Sequence, residues 1–386
     1  MSNRFGALKL GKWGNRALAG AVIALAIVFP LFFGKADGWV DDMTLSLAYV
    51  VMALGLNIVV GYAGLLDLGY VAFFAFGAYC TGWFMSGFFA NADVHVGVSK
   101  FAQVLPGIHL NWLIVVVIAI IVCAVAGIVI GLPTLRLRGD YIAIVTLAFG
   151  EIVRVFAING DEITLPFTND AKLTAGRQGI TPIDPIKLPG LDPFNPLNLR
   201  PWYWTALAMV LVVLFVNIRL RDSRLGRAWI AIREDEVAAA SMGVPLVKTK
   251  LLAYAAGAAF GGISGTFLGS YLNTVNADQF AFSFSIFILA MIILGGLGSV
   301  WGVVVGAVAL SLINYRLIPD VLNDVPAKLG LNFQLADLSF GIFGFLLVIM
   351  MILRPEGLIP ERRRQLELRE GVGAGTEADL VEVSHT

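Results

Sequence analysis

A chain of 386 residues with a formal net charge of zero carries only 14% charged residues, whereas soluble domains carry about 25%. The mean hydropathy of +0.82 excludes an ordinary soluble domain and predicts an all-α, polytopic membrane protein. The balanced charge gives no indication of a nucleic-acid partner.

Ten segments are long and apolar enough to predict membrane helices, since a spanning helix needs roughly 17 to 25 mainly apolar residues. The first follows a basic tail, residues 1–16, and no small-x-small cleavage site comes after it, so we predict an uncleaved span. The ten segments lie near residues 17–33, 43–60, 68–89, 112–132, 141–158, 202–218, 249–270, 284–297, 301–318 and 337–353.

The third and eighth segments adjoin glycine-rich turns, GYAGLLDLG at 61–69 and GGLGSVWG at 295–302, and are therefore predicted to be broken or re-entrant. Asn57 and Tyr62 lie beside the first turn and are candidates for a translocation path. Two interpretations of these glycines remain open, tight helix packing or a moving gate. The likeness between the two turns is too short to establish an internal repeat.

The span at 141–158 carries Glu151 about 15 Å from its start, with Arg154 one turn further on the same face. Charges inside a membrane are costly and usually functional. The pair either neutralises itself and locks two helices, or lines a path and meets the ammonium and carboxylate groups of a zwitterionic substrate. Thr146 is a further path candidate, and Asp140 is predicted to cap the helix.

The segment 159–201 is rich in Pro, Asn and Asp and is predicted to be an irregular loop. His95, His109 and His385 are scattered without ligand spacing, so we predict loop positions for them and no metal site.

The charged island, RLRDSRLGRAWIAIREDEVAAASMGVPLVKTK at 219–250, interrupts the apolar sequence. Asp235 is a good N-cap, Gly243 suits a left-handed C-cap, and Pro245 follows, so a helix of about eight residues is predicted between them. A second short helix is predicted upstream, with Trp229 and Ile232 on one face.

The island could be a basic loop that meets anionic lipid, or a coupling helix that docks on a soluble motor. A lipid-binding loop has no use for a defined cap and stop, nor for its four acidic residues, Asp222, Glu234, Asp235 and Glu236. The sequence has no G-x-x-x-x-G-K-[ST] phosphate loop and no nucleophile–base set. An ion gradient or a separate ATPase must therefore supply energy for any active transport.

Ten crossings place both termini on one side of the membrane, together with 18 Lys or Arg residues against seven on the other. The positive-inside rule thus predicts that the termini, the loop 219–248 and the polar tail 354–386 are cytoplasmic, and that 159–201 faces out.

Several motifs together resemble the permease subunit of branched-chain amino acid ABC importers, the LivM type, over about residues 40 to 360. The motifs are GLNIVVGYAGLLDLGYVAFFAFGAY (55–79), TLRLRGDYIAIVTLAFGEIVRVFAING followed by EIT (134–164), GRAWIAIREDEVAAASMGV (226–244), ILGGLGSVWG (293–302) and ILRPEGLIP (352–360).

The resemblance implies a permease domain at 17–353 in a bacterial inner membrane, beside a second similar permease, two ATP-binding subunits and an extracytoplasmic binding protein. It implies that this chain is not an enzyme and binds no cofactor, because the ATP is used by partner subunits. The island then couples to the ATP-binding subunits through the candidate residues Gly226, Arg227, Trp229, Arg233, Glu234, Asp235, Glu236 and Gly243.

The sequence departs from the family pattern at three places. Glu236 precedes Gly243 by seven positions, whereas the general E-A-A-x-x-x-G pattern has six, so the contacts of that pattern are not transferred. The stretch 169–180 is longer than the usual linker, and Asp67 stands where small or apolar residues are usual.

Relatives that import urea or short-chain amides share these motifs, so the substrate stays open among branched-chain amino acids, other amino acids and urea. A stand-alone secondary transporter or channel is the alternative of another class. It is less favoured because only Glu151 and Arg154 lie deep and the island would have no role. A membrane-embedded enzyme is disfavoured by the missing catalytic set.

Overall fold

The computed structural model describes residue 20 and residues 23–99, 102–135, 141–164, 172–322, 339–354 and 356–359. In chain order the helices are Gly38–Leu56 (α1), Val71–Phe84 (α2), Trp112–Thr134 (α3), Tyr141–Asn159 (α4), Arg200–Asp222 (α5), Arg224–Glu234 (α6), Glu236–Ser241 (α7), Leu246–Tyr271 (α8), Phe282–Gly295 (α9), Val300–Leu312 (α10) and Ser339–Leu353 (α11). Two π-helical segments, Asn57–Tyr62 and Ile313–Leu322, directly follow α1 and α10.

Six of the described helices are long and apolar enough to cross a membrane: α1, α3, α4, α5, α8 and α10, with α1 and α10 counted together with π-helical residues. The prediction of a mostly helical polytopic membrane protein is therefore confirmed. The first predicted segment, 17–33, lies partly outside the described residues; its residues 23–28 are helical, and a 3-10 turn, Phe29–Leu31, follows.

The third predicted segment, 68–89, is longer than the helix that the structure shows, whereas the eighth, 284–297, has the observed length and is displaced by two residues. Helices α2 and α9 have 14 residues each, or about 21 Å at the helical rise, which is less than the roughly 30 Å of a hydrocarbon core. Each is separated from its neighbouring helix by a glycine-containing break. We call residues 57–70, the π-helical segment and the loop between α1 and α2, the first break, and residues 296–299, between α9 and α10, the second break.

A small three-stranded sheet accompanies the predicted helices. Strands Met85–Ser86 (β1), Asp93–Val96 (β2) and Gly107–Leu110 (β3) form a sheet in the order β1-β3-β2, antiparallel between β1 and β3 and parallel between β2 and β3. His95 and His109, predicted in loops, face each other in the parallel register. Residues 85–99 and 102–110 form these strands and short turns because their alternating and turn-rich sequence cannot continue the apolar helix before them.

Helix α8 forms the centre of the bundle and packs mainly against α2 and α3. Gly77 of α2 lies so close to the backbone of Gly262 in α8 that a Cβ on Gly77 would overlap the Gly262 carbonyl oxygen. Small residues let membrane helices approach closely, and dispersion attraction between the closely packed atoms then holds the helices together. The sheet lies at one end of this bundle, the sheet end, and the charged island at the other, the island end.

Candidate functional site

The charged island folds into two short helices, α6 and α7, each with a side-chain cap. Ser223 Oγ accepts a hydrogen bond from Gly226 N at 3.2 Å, and Asp235 Oδ1 accepts from Val237 N and Ala238 N at 2.8 and 2.9 Å. Gly243 follows α7 with φ +86°, the left-handed conformation that was predicted for it. The predicted helices and caps are confirmed, although α7 has six residues instead of about eight.

Helix α6 is fixed to the bundle through its buried face. Trp229 is 1% exposed and donates a hydrogen bond from Nε1 to the carbonyl oxygen of Thr249 in α8 at 2.8 Å. Ile232 is buried on the same face, as predicted. Gly226 is also buried, and it packs so closely against the end of α5 that a Cβ there would overlap the carbonyl oxygens of that helix. Trp229 and Gly226 therefore position the island from within the chain.

Helix α7 is tied to α8 by an ion pair. The Lys250 Nζ atom lies 2.7 Å from Glu236 Oε1, and the Lys250 side chain is only 8% exposed. A buried ammonium needs such a partner because removing it from water without one is costly. Glu236, which was predicted to couple to a partner subunit, thus makes its principal contact inside this chain.

The outer face of α7 is exposed and partly apolar. Val237 is 76% exposed and Met242 is 86% exposed, beside the exposed acidic residues Glu234 and Asp235. We call these four residues the docking surface. Large apolar side chains that stand so far out of a capped helix are typical of a surface that a partner covers.

The island contacts the first break directly. Arg233 in α6 donates a hydrogen bond from Nη1 to the main-chain oxygen of Gly61 at 2.7 Å. The Arg233 side chain also packs against Gly64, where a Cβ would come within 2.8 Å of its Cγ atom. A charge-assisted hydrogen bond contributes about 1.5–3 kcal/mol, so α6 and the first break are expected to move together.

Asn57 joins the first break to the second. Its Oδ1 atom accepts a hydrogen bond from Gly298 N at 3.0 Å, and its side chain is completely buried. Gly61 faces the same place, since a Cβ there would come within 2.8 Å of Gly298 N. The two glycine-rich turns that were noted in the sequence therefore meet at the island end.

Tyr62 is held by a polar contact to another helix. Its hydroxyl donates to Asn217 Oδ1 at 2.7 Å, and Asn217 Nδ2 donates to the Leu54 carbonyl oxygen at 2.9 Å. Tyr62 is 1% exposed and Asn217 is fully buried. The side chain of Asn217 thus links α5 to α1, and Tyr62 lines no open space in this conformation.

Thr146 in α4 packs against the first break near the start of α2. Its Oγ1 atom accepts a hydrogen bond from Leu68 N at 3.0 Å, and a Cβ on Gly69 would overlap the Thr146 carbonyl oxygen. Asp67, buried at 2% exposure, accepts from Gly69 N at 2.9 Å, and Ser285 of α9 accepts from Val71 N at 3.1 Å. These three side chains satisfy backbone groups where α2 begins.

The structure thus brings three of the five predicted path residues, Asn57, Tyr62 and Thr146, around the first break. The sequence interpretation missed Ser285 and Asn217, and it placed Asp67 beside the glycine-rich turn and noted it as a departure from the family, without predicting a capping role. An acidic residue shortly before a helix start is a capping pattern, so Asp67 could have been found. The partners from distant helices carry no local pattern.

Residues of the ILRPEGLIP motif that follow α11 form main-chain hydrogen bonds with the end of α9, next to the second break. Leu358 N donates to the Leu294 carbonyl oxygen at 2.9 Å, and Ile359 N donates to the Gly295 carbonyl oxygen at 3.0 Å. Gly357 has φ +85° and lies against the backbone of Gly296, where no side chain could fit. The sequence ILRPEGLIP was recognised as a motif, and these bonds give the physical reason for its glycine.

Glu151 and Arg154 lie apart from the two breaks, on α4. Arg154 Nη1 lies 3.5 Å from Glu151 Oε2, and the side chains of Arg154 and Glu151 are 29% and 38% exposed respectively. The pair occupies the flank of α4 between its buried face and its exposed face, together with the half-buried residues Leu147 and Ile158. The predicted pairing is confirmed, but neither charge is enclosed within this chain. Asp140, the predicted cap, lies outside the described residues.

In the part of the chain that the structure describes, no group of three or more His, Cys, Asp or Glu side chains could hold a metal ion. The described residues contain two helix breaks that meet at the island end, where the short helices α6 and α7 are anchored to the bundle. They also contain the Glu151–Arg154 pair on the spanning helix α4. Helices broken near the membrane interior and intramembrane charges are features of membrane transport proteins.

Comparison with known families makes this class specific. The family model of the branched-chain amino acid transport system permease component matches residues 40–352, and the chain belongs to this family. It is therefore a transport component, as the motifs predicted.

Individual relatives agree with the family. The chain is 37% identical over 378 residues to the high-affinity branched-chain amino acid transport system permease protein LivM of Escherichia coli (strain K12), covering 93% of this chain and 78% of that protein. It is 27% identical to the probable branched-chain amino acid transport permease protein LivM of Methanocaldococcus jannaschii, covering 81% and 91%. It is 22% identical to the E. coli K12 permease protein LivH, covering 70% and 82%. No solved structure matches the chain significantly.

Proposed function

We propose that this chain imports branched-chain amino acids as one of two permease subunits, driven by separate ATP-binding subunits and supplied by an extracytoplasmic binding protein. The names of the LivM relatives support the substrate class, and the similarity to LivH supports a second, related permease. The observation that carries the proposal is the island: it is anchored to the bundle, bonded to the first break, and exposed on its outer face.

The docking surface is where an ATP-binding subunit is proposed to bind. Val237 and Met242 offer apolar side chains for a groove on that subunit, while Asp235 and Glu234 favour a basic rim. A role in lipid binding is less favoured, because acidic residues are repelled by anionic headgroups. Arg227, which is exposed on α6, extends the surface along the island.

Movement of the docked island would reach both breaks through side chains already described. Trp229 and the Glu236–Lys250 pair hold α6 and α7 to α8, so the island moves as a unit with the first turns of α8. Arg233 transmits that movement to Gly61, and Asn57 transmits it to the second break. ATP binding and release would thus bias two states of the bundle by moving packed elements against each other.

The path itself is proposed to run along the flank of α4 that carries Glu151 and Arg154. A half-exposed ion pair deep in a span cannot face hydrocarbon without a large cost, so a hydrated path or the second permease must cover it. The two charges complement the carboxylate and ammonium groups of a zwitterionic amino acid.

The orientation follows from the charge distribution. With both termini and the island cytoplasmic in a bacterial inner membrane, the sheet end faces outward, where the binding protein delivers its ligand.

Uptake and co-purification test the proposal together. In cells that lack only this chain, the wild-type gene should restore uptake of labelled leucine and not of labelled urea. Met242→Glu should reduce recovery of the ATP-binding subunits, because it places a charge in an apolar contact. Leu197→Glu is the matched control: Leu197 is 74% exposed on the outer loop, so this variant should retain them. Restored uptake of urea alone would contradict the substrate, and full recovery of the ATP-binding subunits with Met242→Glu would contradict the docking surface.

A further inference from the structure

A large cavity opens at the sheet end, away from the two breaks and from the Glu151–Arg154 pair. Its volume is about 880 Å³. It lies between the ends of α1, α5 and α8 on one side and the loops next to the sheet on the other. Pro182 and Asn273 at its rim are exposed, so the cavity is open to the surface.

The charged groups that line this cavity are acidic or histidine. They are Asp41, Asp184 and His109, and no Lys or Arg is among those residues of the lining that the structure describes. Asp184 Oδ2 lies 2.6 Å from His109 Nδ1. Burial raises the pKa of Asp184, and the hydrogen bond from His109 offsets part of that rise. Asp184 thus already has a partner, and Asp41 is the carboxylate left to attract a cationic group.

Asp41 is held in a fixed position. It accepts a hydrogen bond from the Tyr271 hydroxyl, and the Tyr271 ring packs edge-on against Trp202 with 5.3 Å between ring centroids. Asp41 also lies in the first turn of α1, where the helix dipole favours a negative charge. The aromatic rings beside the carboxylate are a further favourable environment for an ammonium group.

The remaining wall is mostly apolar. Leucine, isoleucine and proline side chains dominate it, and prolines give a rigid surface because their backbone is restricted. Such side chains can bury an aliphatic side chain, while Ser99, Ser270 and Asn273 are uncharged polar residues of the lining. The apolar residues are Leu105, Pro106, Pro182, Ile183, Pro185, Pro193, Pro196, Leu199 and Leu272.

We propose that this cavity binds an aliphatic amino acid on the outer side of the membrane, with its ammonium group on Asp41, its side chain against the proline and leucine wall, and its carboxylate toward the open rim. The inference rests on the proposed function and adds to it a binding site within this chain, separate from the path along α4. The site would hold the substrate between its release by the binding protein and its entry into the path.

Binding of labelled leucine to the purified transporter complex, without the binding protein, tests this site. The wild-type complex should bind leucine saturably, and Asp41→Asn should weaken binding about tenfold to a hundredfold, because it removes a charge-assisted contact but can still accept the Tyr271 hydrogen bond. Asp192→Asn is the matched control: Asp192 is an exposed aspartate of the outer loop that does not line the cavity, so its variant should bind as the wild type does.

Two analogues separate the contributions of the ligand's groups. Isoamylamine, which lacks the carboxylate, should compete with leucine, and 4-methylpentanoic acid, which lacks the ammonium, should not. Equal binding by wild type and Asp41→Asn, or competition by the acid alone, would overturn the inference, as would the absence of saturable binding to a complex that imports leucine in cells. Failure of the proposed function would be seen separately, as a wild-type complex that does not restore leucine uptake.

Discussion

Arg233 and Gly61, 172 positions apart in the chain, are joined by a hydrogen bond of 2.7 Å from the guanidinium Nη1 to the main-chain oxygen. The bond connects a surface helix to a π-helical turn at the end of a spanning helix. A substitution of Gly61 would leave its main-chain oxygen in place, so the hydrogen bond is tested by replacing its donor, Arg233.

Arg233→Ala should separate partner binding from transport. The docking surface on α7 does not include Arg233, so the ATP-binding subunits should still co-purify. Uptake should fall at least tenfold, because a charge-assisted bond of about 1.5–3 kcal/mol no longer connects the island to the first break. Arg224→Ala, at an exposed position of the same helix, should transport normally. Wild-type uptake by Arg233→Ala would show that movement reaches the break by another route.

Trp229→Phe should lower the thermal stability of the purified protein. Phenylalanine retains most of the buried surface but cannot donate to the Thr249 carbonyl oxygen, and the loss of a hydrogen bond costs about 0.5–1.5 kcal/mol. Trp301→Phe provides the comparison, since Trp301 is 48% exposed. The apparent melting temperature should fall for Trp229→Phe and change little for Trp301→Phe. A similar small change in both variants would mean that packing, without the hydrogen bond, fixes α6.

Gly69→Ala should prevent normal folding. The added Cβ would overlap the main-chain oxygen of Thr146, and a backbone atom cannot move aside by a change of rotamer. Gly344→Ala adds the same methyl group within α11, where nothing lies within 4 Å, and should be tolerated. Yield of monodisperse protein after membrane extraction measures both. Normal yield of the Gly69 variant would show that the first break can open without loss of the fold.

Glu151→Gln combined with Arg154→Gln should abolish uptake while leaving the complex assembled. Both side chains are partly exposed and neutralise each other, so their joint replacement leaves no unpaired charge. Arg177→Gln with Asp278→Asn is the matched double variant, since it removes an exposed pair at 4.0 Å outside the spans. Normal uptake by the first double variant would exclude the pair from the path, and failed assembly would assign it to locking the helices.

Local patterns in the sequence predicted the local structure of this protein well. Ser, Thr, Asp and Gly preferences at helix ends act over a few residues, which is why Asp235 and Gly243 were identified as the ends of α7. The long apolar runs likewise predicted the spanning helices, because the hydrophobicity of consecutive residues is also a local property of the sequence. The length of α2 was overestimated, because apolar sequence continues past a helix end that is fixed by contacts with other helices.

The tertiary relations of the site could not be predicted. Nothing near Asn57 in the chain indicates that its partner is Gly298, and nothing near Arg233 indicates Gly61, because these contacts depend on how whole helices pack. The strands at 85–110 were missed since two to four residues of extended chain give too short a pattern, and the stacked pair His95 and His109 was missed with them.

The bonds from Leu358 and Ile359 to the end of α9 have a consequence for biosynthesis. These two residues are synthesised after α11, so the turn between α9 and α10 receives these two main-chain donors only when α11 has already been made. A nascent permease therefore enters the bilayer before these two hydrogen bonds to the end of α9 have formed. A truncation or an affinity tag placed ahead of Leu358 would remove or displace both donors permanently, whereas a tag placed beyond residue 359 preserves them.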